Sequence, residues 1–216
     1  MRTIKRGGEY ELHVKKSRFI CALARVADED EARAFIAERR RAHWSANHNC
    51  SAYVLGPGGE VQRSSDDGEP SGTAGVPMLE VLRQRGLTDT AAVVTRYFGG
   101  VKLGAGGLVR AYGAAVSAAL DEVGVLERRT LLVVEVGADY QRAGRLESDL
   151  RDSRYPVRGV RYGEGVRIEA AVPEDGLAKF RAWLAEATGG GASCEVTGTA
   201  VVEVEPGGAA GGGGEF

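Results

Sequence analysis

The chain has no cysteine pairing pattern. Cys21, Cys50 and Cys194 are far apart, odd in number and outside any C-x-x-C spacing. They also lack metal-ligand spacing with His13, His43 or His48. A disulfide framework and a zinc knuckle are therefore both excluded as organising devices. Free thiols fit a reducing compartment, so a cytoplasmic location is expected. No stretch approaches the roughly 20 apolar residues of a membrane span, and no apolar signal region follows the N-terminal charges. Charge of one sign is scarce too. The net charge is −2, too small for a global field that would draw the molecule to nucleic acid or an anionic membrane. There is no G-K-[ST], hence no P-loop, and no serine or cysteine on a recognisable nucleophile elbow.

What remains is the composition of a soluble globular protein, 43% hydrophobic and 27% charged. A length of 216 residues allows one large domain or two small ones. Charge is unevenly divided. Up to residue 126 there are 17 Lys+Arg against 15 Asp+Glu, and beyond it 11 against 15. A site for a polyanion is therefore expected in the N-terminal part, as a local patch.

The first part alternates strand and helix signals. Residues 9–26 suggest one or two strands. Asp28 with Glu31 forms a capping box for a helix over about 28–42. Ser51–Leu55 and 60–64 read as strands around the turn Gly56-Pro57-Gly58-Gly59. A polar loop at 63–75 leads into a helix containing Pro77 and closed by Gly86. Ala91–Phe98 is a near-continuous apolar strand, expected to be buried on both faces. A glycine-rich stretch at 99–107 follows, then a long helix through Leu108, Tyr112, Val116 and Leu120. The second part has the order βαββαβ: strands near 130–137, 155–162, 165–172 and 195–205, with helices at about 140–151 and from Leu177 to Ala187. The domains expected are 1–126 and 127–205. Composition predicts a disordered Gly-rich tail over 206–216.

Three groups of residues carry chemistry. The segment TRYFGGVKLGAGGLVRAYG at 95–113 combines a strand, a glycine-rich turn and a helix start, the parts of an anion site. Gly99, Gly100, Gly104, Gly106 and Gly107 would give an anion access to backbone N–H groups, and Arg96, Lys102 and Arg110 would add charge-assisted contacts. Val109 stands where a Rossmann fingerprint needs glycine, and Asp121 falls inside the same helix and cannot be the ribose-binding acid, so that fingerprint fails. A tight turn with close packing explains the same residues, and both readings stand. The second group, Asp66, Asp67 and Glu69 with Ser65, Ser71 and Thr73, offers hard oxygen ligands. It lacks the layout of a calcium loop, so a solvated capping loop is the preferred reading, and any metal is unknown. The third, His43, Trp44, His48, Asn49 and Cys50, contains a Cys–His pair. Hydrogen bonding at the start of a strand, with Cys50 filling the core, is the reading preferred over nucleophilic catalysis.

SRF at 17–19, HNCSAYVLG at 48–56, SSDDGEPSGTAGVPML at 64–79 and RYFGGVKLGAGGLVRAYG at 96–113 together closely resemble the IMPACT/YigZ family, over roughly residues 9–122. The element order after 127 is similar to the second domain of its bacterial members. The resemblance implies an α+β protein with a ribosomal protein S5 domain 2-like first domain and a ferredoxin-like second one. It also implies a translation-linked role. Eukaryotic members regulate translation by competing for a ribosome-associated activator of an initiation-factor kinase, partly through an extra N-terminal domain this chain lacks. The expectation is thus a non-enzymatic regulatory protein, without cofactor or membrane partner, that binds RNA, the ribosome or a translation factor as a monomer or homodimer. Its site would be the two signature segments: Arg96 to Arg110, and Asp66 to Thr73. A phosphate- or metal-dependent enzyme acting on a small molecule is the alternative, by analogy with kinases that share the S5-like fold.

Overall fold

The computed structural model describes residues 1–206, and the tail expected to be disordered lies, after Pro206, outside the described residues. The fold is α+β, and the chain divides into two compact units, 1–127 and 128 onward.

In the first unit β1 (Arg2–Ile4) is followed by β2 (Gly8–Val14), β3 (Ser17–Arg25), α1 (Glu29–Ala42), β4 (His48–Leu55) and β5 (Val61–Ser65). Then come α2 (Gly75–Gln84), β6 (Thr90–Tyr97) and α3 (Ala105–Val123). Five strands form one antiparallel sheet in the order β2-β3-β6-β4-β5. Side chains alternate across a strand, so the central strands feed two cores. Phe19, Cys21, Leu23, Cys50, Ala52, Val54, Ala92 and Val94 pack with Met78 and Leu82 of α2 and Leu108, Tyr112, Val116 and Leu120 of α3. On the opposite face Tyr53, Leu55 and Ala91 meet Ala32, Phe35 and Ile36 of α1. Burial on both faces explains why β4 and β6 carry unbroken apolar runs.

Local chemistry sets the ends of these elements. Asp28 caps α1, accepting from the N–H groups of Asp30 and Glu31, both at 2.9 Å. Glu31 reaches back to the N–H of Ala27 at 2.8 Å, one residue earlier than the usual reciprocal partner. Strands β2 and β3 join through Lys15 and Lys16, whose φ values of 45° and 67° give the left-handed backbone of a two-residue hairpin.

Strand β7 (Val125–Ala138) begins in the first unit, where residues 125–127 pair with β1, and runs on into the second, which continues with α4 (Tyr140–Arg151), β8 (Val157–Tyr162) and β9 (Val166–Val172). Helix α5 (Leu177–Thr188) and β10 (Ser193–Val204) complete it. Its strand order is β10-β7-β9-β8. Ala143, Leu146 and Leu150 of α4, with Phe180 and Leu184 of α5, pack on a single apolar layer from Val134 to Val172. A charge ladder crosses the sheet beyond it: Arg161 pairs with Glu135 at 3.1 Å and with Glu169, and Arg167 pairs with Glu135 at 3.3 Å. No described helix is long and apolar enough to cross a membrane.

Candidate functional site

The acidic loop is a turn whose carboxylates diverge. Asp67 and Gly68 have φ values of 43° and 86°, and this left-handed pair sends Asp66, Asp67 and Glu69 in different directions. Asp66 accepts from the backbone N–H groups of Gly72, Ala74 and Gly75 at 2.8, 3.0 and 2.8 Å. It therefore caps α2, whose own N-cap residue, Ala74, has no side chain to do so. Burial raises the Asp66 pKa, but the three backbone donors outweigh it and hold the carboxyl below its usual range. Asp67 accepts from the N–H of Asn49 at 2.6 Å and from Arg40 at 2.9 Å.

Glu69 is buried and serves the first core. Its Oε1 accepts from Arg96 Nη1 at 2.6 Å and from the Tyr112 hydroxyl at 2.8 Å, while Oε2 lies 3.9 Å from His48 Nε2. Among the described residues no group of three or more His, Cys, Asp or Glu side chains is arranged to hold a metal. The cation cradle considered from the sequence gives way to three separate structural roles. Ser71 is exposed, and the hydroxyl of Thr73 donates to the Pro70 carbonyl at 2.6 Å, closing the turn.

Arg96 departs from expectation most clearly. It is 5% exposed, paired with Glu69, and its guanidinium lies 5.4 Å from the ring centres of both Phe19 and Phe98. A polymer phosphate cannot reach it without displacing Glu69 and the packed rings, so its role is support rather than contact. Arg18 and Arg63 are engaged as well, Arg18 in a two-pronged bond to Glu11 and Arg63 near Glu29 of α1.

The Cys–His pair is a packing arrangement. The Cys50 thiol donates to the Asp66 carbonyl at 2.9 Å, and burial pushes its pKa up to about 12. A thiol so hard to ionise is a poor nucleophile. His48 Nδ1 lies 2.9 Å from the Asp67 carbonyl, and the Asn49 side chain accepts from Thr95 at 2.7 Å, so both fasten the start of β4 as expected.

The glycine-rich turn lies at the sheet end, against two other loops. Gly99 touches the β2–β3 hairpin: a Cβ there would fall 1.9 Å from the Lys16 carbonyl oxygen, so no other residue fits without backbone movement. Its N–H donates to the Ser17 hydroxyl at 3.3 Å. The N–H of Phe98 donates to the Asn47 side chain at 2.8 Å, and that of Asn47 to the Arg96 carbonyl at 3.0 Å. Gly100 and Gly104 take φ values of 83° and 75°, and Gly104 caps α3 without a side-chain acceptor for its first N–H groups. Lys102, Gly106 and Arg110 face solvent here, and Gly107 is half-buried against Leu103. The structure thus joins hairpin turn 14–17, loop 43–47 and loop 97–104 at one end of the sheet, and leaves Asp66, Asp67 and Glu69 beneath it as fastenings.

Comparison with known proteins agrees with the resemblance. The Impact N-terminal domain family matches residues 15–120, and a domain of unknown function, DUF1949, matches residues 136–190. IMPACT family member YvyE of Bacillus subtilis is 52% identical over 188 residues, covering 87% of each chain. IMPACT family member YigZ of Escherichia coli is 38% identical over 80% of this chain and 86% of its own. A crystal structure of a hypothetical protein, 34% identical, covers 90% of this chain and 96% of its own with a TM-score of 0.56. With its signature segments, its two units and relatives that match along most of its length, the chain belongs to the IMPACT family, in the two-domain form of the bacterial members.

Proposed function

We propose that this protein is a non-enzymatic, translation-associated regulatory protein whose first unit binds RNA, on the ribosome or in a complex with a translation factor, through the segment 98–110. The observation that carries this reading is the charge at the sheet end. Hairpin turn 14–17, loop 43–47 and loop 97–104 contain no carboxylate, and no acidic residue occurs between Asp89 and Asp121. Lys102 and Arg110 are exposed and, among the described residues, have no ion-pair partner. Side chains left in this way contact phosphate without first breaking an internal bond. The catalytic alternative has less support, because the acids it would use for a metal are occupied by backbone N–H groups, Arg40 and Arg96.

The finer fold reading belongs with this proposal. The order β10-β7-β9-β8 with both helices on one apolar layer supports a ferredoxin-like second domain. The mixed helix and sheet layers of the first unit are compatible with an S5 domain 2-like fold.

The test is sedimentation of tagged protein in cell lysate through a sucrose gradient at low and moderate salt. Wild-type protein is expected to co-migrate with a ribosomal subunit at low salt and to be released as salt rises. The Lys102→Gln/Arg110→Gln variant should bind more weakly, with a salt slope reduced by about 1.4 for two lost single-strand phosphate contacts. Protein confined to the light fractions at both salts would overturn the reading.

A further inference from the structure

Two exposed aromatic side chains stand on the same carboxylate-free sheet end, and no core explains them. Trp44 is 84% exposed on the loop between α1 and β4, and Phe98 is 45% exposed on the loop after β6. Single exposed aromatics are common, but these two come from loops that are fastened together. Their chain neighbours His43 and Tyr97 pack edge to face with ring centres 6.0 Å apart, and His43 Nδ1 lies 2.9 Å from the Tyr97 hydroxyl. Arg39 donates to His43 Nε2 at 2.8 Å, so the ring accepts there and carries its proton on Nδ1 toward Tyr97. Asn47 ties the two loops a second time, through the N–H of Phe98. Behind Phe98 stands the buried Arg96 guanidinium, itself held by Glu69. The Phe98 ring is thus fixed from beneath and open above.

The charged side chains of the three loops are all basic, and the nearby carboxylates of Glu9 and Glu11 are paired with Arg39 and Arg18. Lys15, Lys16 and Lys102 are exposed, with no acidic side chain on the three loops to neutralise them. Flat apolar faces among cations match one class of polymer. Unpaired bases stack on aromatic rings in any sequence, while the phosphates that link them meet Lys and Arg. Duplexes keep their bases stacked inside, so they offer these rings nothing.

We propose that the sheet end of the first unit is a stacking platform for single-stranded RNA, with one base on Trp44, one on Phe98 and the connecting phosphates on Lys16 and Lys102. This deepens the RNA reading given above and rests on it.

The experiment uses the full chain carrying Trp183→Phe, so that Trp44 is the sole tryptophan. Its emission is followed on titration with rU12, dT12, a 12-base-pair RNA duplex and heparin, a polyanion without bases. The expected result is quenching by rU12, tighter binding of rU12 than of the duplex, and no quenching by heparin. Trp44→Ala and Phe98→Ala, read by fluorescence anisotropy of labelled rU12, should each weaken binding roughly tenfold. Both residues are exposed, so these variants are expected to fold, and circular dichroism checks that they do. Binding of rU12 with unchanged emission and unchanged affinity in both alanine variants overturns the platform but leaves the phosphate reading intact. Duplex bound as tightly as rU12, or dT12 bound more tightly, also overturns it. No binding of rU12 at low salt overturns both readings and leaves this face to a protein partner.

Discussion

Replacing Glu69 by Gln tests whether the signature loop is a structural fastening. The carboxylate is the counter-charge of Arg96, and their side chains are 4% and 6% exposed. Glutamine keeps the size and an acceptor for Tyr112 but leaves the guanidinium buried without an anion. Breaking a buried pair in this way costs about 3–5 kcal/mol, which is a large fraction of the roughly 5–15 kcal/mol that holds a domain together. With a denaturant slope of about 2 kcal/mol/M, the urea midpoint of the first unit should fall by about 2 M. Far-UV circular dichroism follows the transition, and in a Trp44→Phe background emission of Trp183, which packs with Tyr155 and Phe180, follows the second unit alongside. Glu69→Gln/Arg96→Met removes the orphaned charge as well and should recover at least half the loss. A midpoint shift under about 0.5 M in the single variant, or a double variant worse than the single one, would refute a buried, charge-dependent anchor.

Two further outcomes follow from the same loop and core. Asp66→Asn should cost about 1–2 kcal/mol near neutral pH through loss of the α2 cap. Because the folded Asp66 pKa is lowered, its contribution is present above the unfolded value near 3.9 and disappears as pH falls through the folded one. Urea midpoints of wild type and variant should therefore differ near neutral pH and converge in acid, once the Asp66 carboxyl is protonated in the folded protein as well. For the thiols, mass spectrometry after brief labelling at pH 8 should find one adduct on native protein, at half-buried Cys194, and three in denaturant. Fast labelling of Cys50 would reopen the nucleophile reading.

Much of this architecture is local and therefore legible in sequence. Asp28 and Glu31 announce the start of α1, and the periodic apolar residues of α4 and α5 give the βαββαβ order. Elements that depend on distant partners are harder to see. Strand β1 is three residues held by 125–127, and β7 begins immediately after α3, so the domain boundary carries no linker signal. The hairpin turn escapes because Lys15-Lys16 has none of the residue types that favour a left-handed backbone.

The site is only partly legible, for a different reason. Asp66, Asp67 and Glu69 are adjacent in sequence but separated in space by the backbone reversal at Asp67-Gly68, which no side-chain count reveals. Arg96 was legible in principle. It shares parity with Ala92 and Val94 on a strand expected to be buried on both faces, so its side chain had to enter the core and find a carboxylate. Trp44 stands out beside His43 and His48 in the sequence, but its exposure does not, because a single tryptophan after a helix reads equally as core or surface.

The contact between Gly99 and the Lys16 carbonyl has a kinetic consequence. A loop welded to a neighbouring hairpin at backbone distance has few alternative shapes, so the conformational entropy of the sheet end is already lost when the unit folds. A partner arriving there meets a preassembled surface. Association should proceed at a rate set by diffusion and charge rather than by loop rearrangement, and affinity differences among variants should show mainly in dissociation.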